Sequence, residues 1–345
     1  MQSGKAQTSS GKVVAIGALM VDLLCRVDNL PQAGEGVVVT SSHMTLGGCA
    51  FNSAEVLRQL GISCELLAPT GQGMFATMAQ EQLTQRGIAL WQPEGVASDN
   101  LFCEPKDSPN DFSTPPYDCG ACICFVTPDG QRTMVTLPGV ERHFQSAWFE
   151  QAPAKEVSLA FCSGYEIDGA GGHAILSYLS RIRHDSPDAT IIYAAGPRIA
   201  AVSREKTAQL LSLDAVWHIN DQEALAYSGC ETIASAGTTI AQATHNTVVV
   251  TAGSLGAYVF EPVCGNESEI THSHVSTTPV VVADTVGAGD AHLGAMIAAY
   301  MCGMNWVDAA CFANKISAAV CQSIGATVTD EKLAIFRQLL HEKQQ

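Results

Sequence analysis

The sequence predicts an α/β fold: a mostly parallel sheet flanked by helices, carrying a small β-lid. Three observations predict it. Strand-like and helix-like segments alternate from Val13 onward, the rhythm of a parallel sheet with crossover helices. That rhythm breaks once, at a loop over 99–120 that holds Pro105, Pro109, Pro115 and Pro116 and leads into a hairpin. A hairpin inside such a series reads as an appended lid. The last third is Ala-rich and helical.

Taken in order, Val13–Gly17 reads as the first strand, and a β-rich stretch runs from Gly36 to Met44 after the turn at Pro31–Gly34. Ala54, Val56, Leu57 and Leu60 at helical spacing predict a helix over Asn52–Leu60, stopped by Gly61. Ser63–Ala68 reads as a strand and Met74–Arg86 as a helix closed by Gly87. The hairpin is Ala121–Thr127, a Pro128-Asp129-Gly130 turn and Arg132–Leu137. Strands follow at Val157–Cys162, Thr190–Ala194, Ala215–Ile219 and Thr247–Thr251, with a helix at Ala170–Arg183. Helices then cover Ala288–Cys302, Trp306–Gln322 and Glu331–Glu342. One domain over 12–342 is expected, with the lid inserted at about 24–46 and 99–137 and a disordered tail over 1–11.

Hydrophobic residues make up 47% of the 345 and charged residues 15%, ample material for a large core. Acidic residues outnumber basic ones by 34 to 18, a net charge of −16. That field repels phosphate backbones and anionic lipid, so neither nucleic acid nor membrane is expected as a partner. It leaves ATP open, because a nest of backbone N–H groups can hold phosphate locally. No apolar run reaches the roughly 18–20 residues of a membrane span; Val280–Met304 is interrupted by Asp284, Asp290 and His292. The polar start, Met1 to Lys12, has no signal-peptide core. Thirteen cysteines scattered among apolar neighbours suit a reducing cytoplasm.

Four motifs can carry chemistry. Asp284-Thr285-Val286-Gly287-Ala288-Gly289-Asp290 runs into an Ala-rich helix. Glycines and unpaired N–H groups at a helix start favour an anion, and a carboxylate in the first turn can act as a base. Thr285 as a plain cap, with Asp290 complementing the dipole, is the structural alternative. Gly47-Gly48-Cys49-Ala50-Phe51-Asn52 offers backbone and amide contacts to a small polar ligand, or a loop and cap. Asn220 and Glu223 form a capping box on a helix after a strand. Thr251, Gly253 and Gly256 follow the most apolar strand, where open α/β sheets bind ligands.

Taken in chain order, from 47 to 290, the four motifs resemble the ribokinase-like (PfkB) carbohydrate kinases over nearly the whole chain, Val13 to Leu340. The resemblance implies a three-layer α/β sandwich with a β-lid, and ATP-dependent phosphorylation of a sugar hydroxyl. A nucleoside kinase, or a non-catalytic sugar- or nucleotide-binding protein on the same fold, is the alternative. By position Asp290 resembles the general base, and Gly287, Ala288 and Gly289 the anion hole. Asn220 and Glu223 match residues that organise Mg²⁺ and its waters. Thr251, Gly253, Gly256 and Asn314 match nucleotide contacts, and Asp22, Gly47, Gly48 and Asn52 match sugar contacts. Many members hold a monovalent cation, usually K⁺, here expected near Asp284, the Val286 carbonyl and Gly325. A homodimer through the lid is implied. Departures fall on the acceptor side: Met20, Cys49-Ala50-Phe51 with a bulky Phe51 beside the substrate, and Gly73.

Two rival readings remain. Gly71-Gln72-Gly73 opens a helix after a strand, the context of a dinucleotide fingerprint. Cys119, Cys122 and Cys124, with Cys103 and His143, could approach a zinc site.

Overall fold

A computed structural model describes residues 11–93 and 118–342. The tail and most of the 99–120 loop, Cys103 included, lie outside the described residues. The strands in chain order are β1 (Lys12–Ile16), β2 (Met20–Arg26), β3 (Ser41–Gly47), β4 (Cys64–Leu67), β5 (Ala89–Trp91), β6 (Ala121–Val126) and β7 (Arg132–Leu137). They continue with β8 (Val157–Ser163), β9 (Thr190–Ala194), β10 (Val216–Asn220), β11 (Val248–Thr251), β12 (Ala257–Val263) and β13 (Asn266–Val275).

Nine strands form one sheet in the order β13-β12-β11-β10-β9-β8-β1-β4-β5. All neighbours from β11 to β5 are parallel, and β12 and β13 close one edge antiparallel. The strands read as unbroken apolar runs because both faces are covered. In β1, Val13 and Ala15 join one core with the helices Cys49–Gln59, Ala288–Met301 and Trp306–Cys321. Val14 and Ile16 join the other, with Gly172–Asp185 and Ile233–Thr244. Helices on both faces make the three layers that the sequence predicts.

The second sheet has the order β3-β2-β6-β7. β2 pairs parallel with β6 and antiparallel with β3, and β6 and β7 form the expected hairpin. This sheet begins at Met20, earlier than expected, and the stretch over 36–44 shifts to Ser41–Gly47. The register explains the shift. Arg26, the last residue of β2, lies opposite Ser41, so 36–40 has no partner strand and Val38 is exposed. The chain returns to the first sheet through Gly48 at φ 99°, where a Cβ would strike the Ala18 carbonyl.

The dinucleotide reading fails on geometry. The start of the helix Met74–Arg86 is already taken by the Asp118 carboxylate, which accepts from the N–H groups of Phe75 (3.0 Å) and Ala76 (2.8 Å). That carboxylate fills the place of a Gly73 side chain, so a pyrophosphate has no room. The cysteines also diverge: the Cys119 thiol donates to the Leu19 carbonyl, while Cys122 and Cys124 face a cavity under the second sheet. Among the described residues, no three His, Cys, Asp or Glu side chains form a metal-binding group. None of the described helices is long and apolar enough to cross a membrane.

Candidate active site

The last residues of four parallel strands, Ser163, Ala194, Asn220 and Thr251, line one hollow of about 270 Å³. Its opposite wall is the start of the helix Ala288–Met301. The N-cap there is Gly287 at φ 72°, with no side-chain cap. The Thr285 side chain therefore does not cap the helix, although its carbonyl accepts from the Ala288 N–H at 3.2 Å; Gly289 and Asp290 of the first turn border the hollow, where a helix start favours an anion. A Cβ at Gly287 would come within 2.5 Å of Ala326, so sterics and dihedral both demand glycine.

Asp290 stands in the first turn of this helix. Its carboxylate accepts from the Asn52 amide at 2.8 Å, and its carbonyl accepts from the Ser53 hydroxyl at 2.9 Å. The helix Cys49–Gln59 is thus docked on the Asp290 helix, and Gly294 opposite the Ser53 backbone permits the close approach. Asn52 serves as a link between helices rather than as a cap. Its Oδ1 is buried without a partner, a polar group left unsatisfied beside the site. Burial pushes the Asp290 carboxyl above the usual carboxylate range, while Asn52 and the Cys49 thiol pull it back.

A second hollow of about 570 Å³ lies between the second sheet and the two helix starts. It is lined by Asp22, Thr45, Gly48, Asn52, Arg132 and Asp290, among others. Desolvation raises Asp22 to about 6. Gly47 does not line the hollow; the Asp22 carboxylate occupies the space of a side chain there. Phe51 does not line this hollow either: it is 1% exposed and belongs to the core, with the Arg86 guanidinium over its ring at 5.9 Å. Cys49, Gly287 and Asp290 border both hollows.

The capping box forms as expected. Glu223 N–H donates to Asn220 Oδ1 at 2.8 Å, and Asn220 N–H donates to Glu223 Oε2 at 3.1 Å. Both side chains also border the smaller hollow. Burial raises the Glu223 carboxyl against the pull of the Asn220 and Gly196 N–H groups.

A third hollow, about 350 Å³, is lined by Gly253, Gly256, Val280, Asn314 and Ser317, and shares Thr251 and Gly289 with the first. Ala288 borders it too. The Asn314 amide is committed to the carbonyls of Val275 (3.0 Å) and Ser276 (3.4 Å), so it braces the wall.

Asp284 faces away from a free site. Its carboxylate accepts from the N–H groups of Val286 (3.1 Å) and Gly325 (2.6 Å) and from the Arg132 guanidinium (2.6 Å). Val286 itself borders the large hollow. Sequence reasoning missed Arg132, although hairpin alternation places it with Met134 on the hollow's side. It also missed the buried pair His218 and His292, whose Nε2 and Nδ1 lie 2.9 Å apart between the small hollow and the third. A histidine inside the apolar run Val216–Asn220 was the available signal.

A buried carboxylate at an uncapped helix start, on the carboxyl edge of a parallel sheet and between a polar hollow and a glycine-rich one, is what the kinase expectation requires. Comparison with known proteins agrees. Residues 10–92 and 117–333 match the model of the pfkB family carbohydrate kinases. The chain is 25% identical to a protein named "Uncharacterized sugar kinase YegV" of Escherichia coli K12, over 314 residues covering 90% of this chain and 88% of the relative. Its structure resembles a probable sugar kinase protein from Rhizobium etli CFN 42, with a TM-score of 0.74, 19% identity, and 96% and 99% of the two chains covered. Ribokinase from Thermotoga maritima gives a TM-score of 0.71 at 19% identity, covering 95% and 99%. The chain belongs to the pfkB family of carbohydrate kinases, and its fold is the ribokinase fold.

Proposed function

We propose that this protein transfers the γ-phosphoryl group of ATP to a hydroxyl of a sugar or sugar-like substrate, with Asp290 as general base. The observation that carries the reading is the position of Asp290, shared by the hollow under the second sheet and the hollow at the strand ends. The acceptor occupies the larger hollow. Asp22 supplies an acceptor for its hydroxyls, with Gly48 and Asn52 alongside. The nucleoside occupies the glycine-rich hollow of Thr251, Gly253 and Gly256, braced by Asn314.

Phosphoryl transfer asks mostly for positioning and charge stabilisation. Asp290 takes the hydroxyl proton as the oxygen attacks phosphorus in line. The helix start at Gly287, Ala288 and Gly289 stabilises charge on the equatorial oxygens. Glu223 and Asn220 are oxygen donors on the small hollow, the hard-ligand chemistry that Mg²⁺ accepts directly or through water. When bound, Mg²⁺ neutralises charge on the nucleotide phosphates.

The second sheet acts as a lid over the acceptor, within one catalytic unit spanning 12–342. Thirteen cysteines scattered among apolar neighbours suit a cytoplasmic enzyme, and two copies pair through the lid. The test is a coupled ADP-release assay across pentoses, hexoses, their phosphates and nucleosides. Turnover of at least one neutral sugar is expected, and no ATP consumption with any acceptor would overturn the reading.

A further inference from the structure

The family resemblance brings a monovalent cation to Asp284, and the residues present do not fit one. The Asp284 carboxylate is 5% exposed and already holds two backbone N–H groups and the Arg132 guanidinium. Its negative charge is neutralised within the chain. Arg132 is 16% exposed and its guanidinium lies 2.6 Å from the Asp284 carboxylate, so an ion at that oxygen would have to displace it.

The location gives the pair its meaning. Asp284 opens the segment that leads into the Gly287 helix start, and Val286 and Gly325 tie that segment to the loop before the last helix. Arg132 begins β7, the edge strand of the second sheet. A fixed positive charge therefore reaches the back of the anion-receiving turn from the sheet that covers the acceptor.

Resting on the kinase reading, we propose that Arg132 takes the place of the monovalent cation, so that nucleotide binding and the integrity of this turn do not depend on K⁺. The experiment compares KCl with tetramethylammonium chloride at equal ionic strength. Two readouts are used: the melting temperature of the protein alone, and calorimetric binding of Mg–AMPPNP. Wild type is expected to give the same values in both salts. Arg132→Met should bind the nucleotide about tenfold more weakly in tetramethylammonium and recover in KCl, with a K⁺-dependent rise in melting temperature. Arg132→Lys, which keeps the charge, should stay indifferent to K⁺.

Selective stabilisation of wild type by K⁺ overturns the proposal, and so does an Arg132→Met protein that K⁺ does not rescue. If Arg132→Met does not fold, wild type and Arg132→Lys decide. Absence of nucleotide binding in either salt sinks the kinase reading instead, while the melting temperatures still report on the cation.

Discussion

Asp290 carries the proposed chemistry through two opposed effects on one carboxyl group. Burial disfavours its charge, and the Asn52 amide at 2.8 Å favours it. A base must be ionised to work, so kcat should fall with falling pH along a limb set above the ordinary carboxylate range. Asp290→Asn should lower kcat by about 10²–10⁴-fold while nucleotide affinity, measured by calorimetry, changes little. A different carboxylate governs stability. Glu166 is buried beneath the crossover to the second sheet, where it accepts from the Ala18 N–H at 3.2 Å. Its Oε2 has no partner, and desolvation raises it from 4.5 to about 7. Between those two values the folded chain binds more protons than the unfolded one. Stability should therefore fall as pH rises from about 4.5 to 7, by on the order of 3 kcal/mol. Glu166→Gln, which keeps an acceptor for Ala18, should flatten that part of the melting-temperature profile. An unchanged slope would clear Glu166 of the effect.

At the scale of elements, the two helix starts of the site stand apart from the helix that begins after β10. The helices Cys49–Gln59 and Ala288–Met301 start at glycines without side-chain caps, whereas Asp221–Ser228 is fully boxed by Asn220 and Glu223. Asn220 thus has a structural duty and a place on the small hollow, and substitution can separate them. Asp caps as well as Asn, so Asn220→Asp should melt within a few degrees of wild type. The added charge beside Glu223 should weaken binding of the metal-free nucleotide roughly tenfold. Equal affinity for both proteins would remove Asn220 from the nucleotide site. The same contrast shows what the sequence made legible. Glycine pairs, cap residues and apolar runs follow from local chemistry, so the parallel strands other than β5 and the four motifs could be read directly. The β12–β13 hairpin could not: Asn266–Val275 is a largely exposed edge strand with little apolar alternation, and its pairing is set by β12. Arg132, Cys49 and Asn52 acquire their partners only across long separations. The spacing of Asn52 and Asp290 in the chain, 238 residues, carries no local signal.

At the scale of the molecule, the second sheet presents a problem that the monomer leaves unsolved. One face covers the acceptor hollow through Asp22, Leu24, Cys122 and Met134. By strand alternation the opposite face carries a row of directly paired residues, Met44, Leu23, Ile123 and Val135. Met44 and Val135 are 46% and 49% exposed. An apolar row crossing all four strands is costly in water, and among the described residues β3 and β7 have no further strand paired to their outer edges. A second copy, bringing the same row related by a two-fold axis, covers both faces at once and needs no other partner. The pairing would also steady the sheet that holds Arg132 and Asp22 over the site, so association and acceptor affinity should be linked. Light scattering at micromolar concentration should give twice the chain mass. Val135→Glu should yield a monomer with near-normal melting temperature and a raised KM for the acceptor, because its side chain faces away from the hollow. A wild-type monomer under those conditions, or a Val135→Glu dimer, would leave the row without this role.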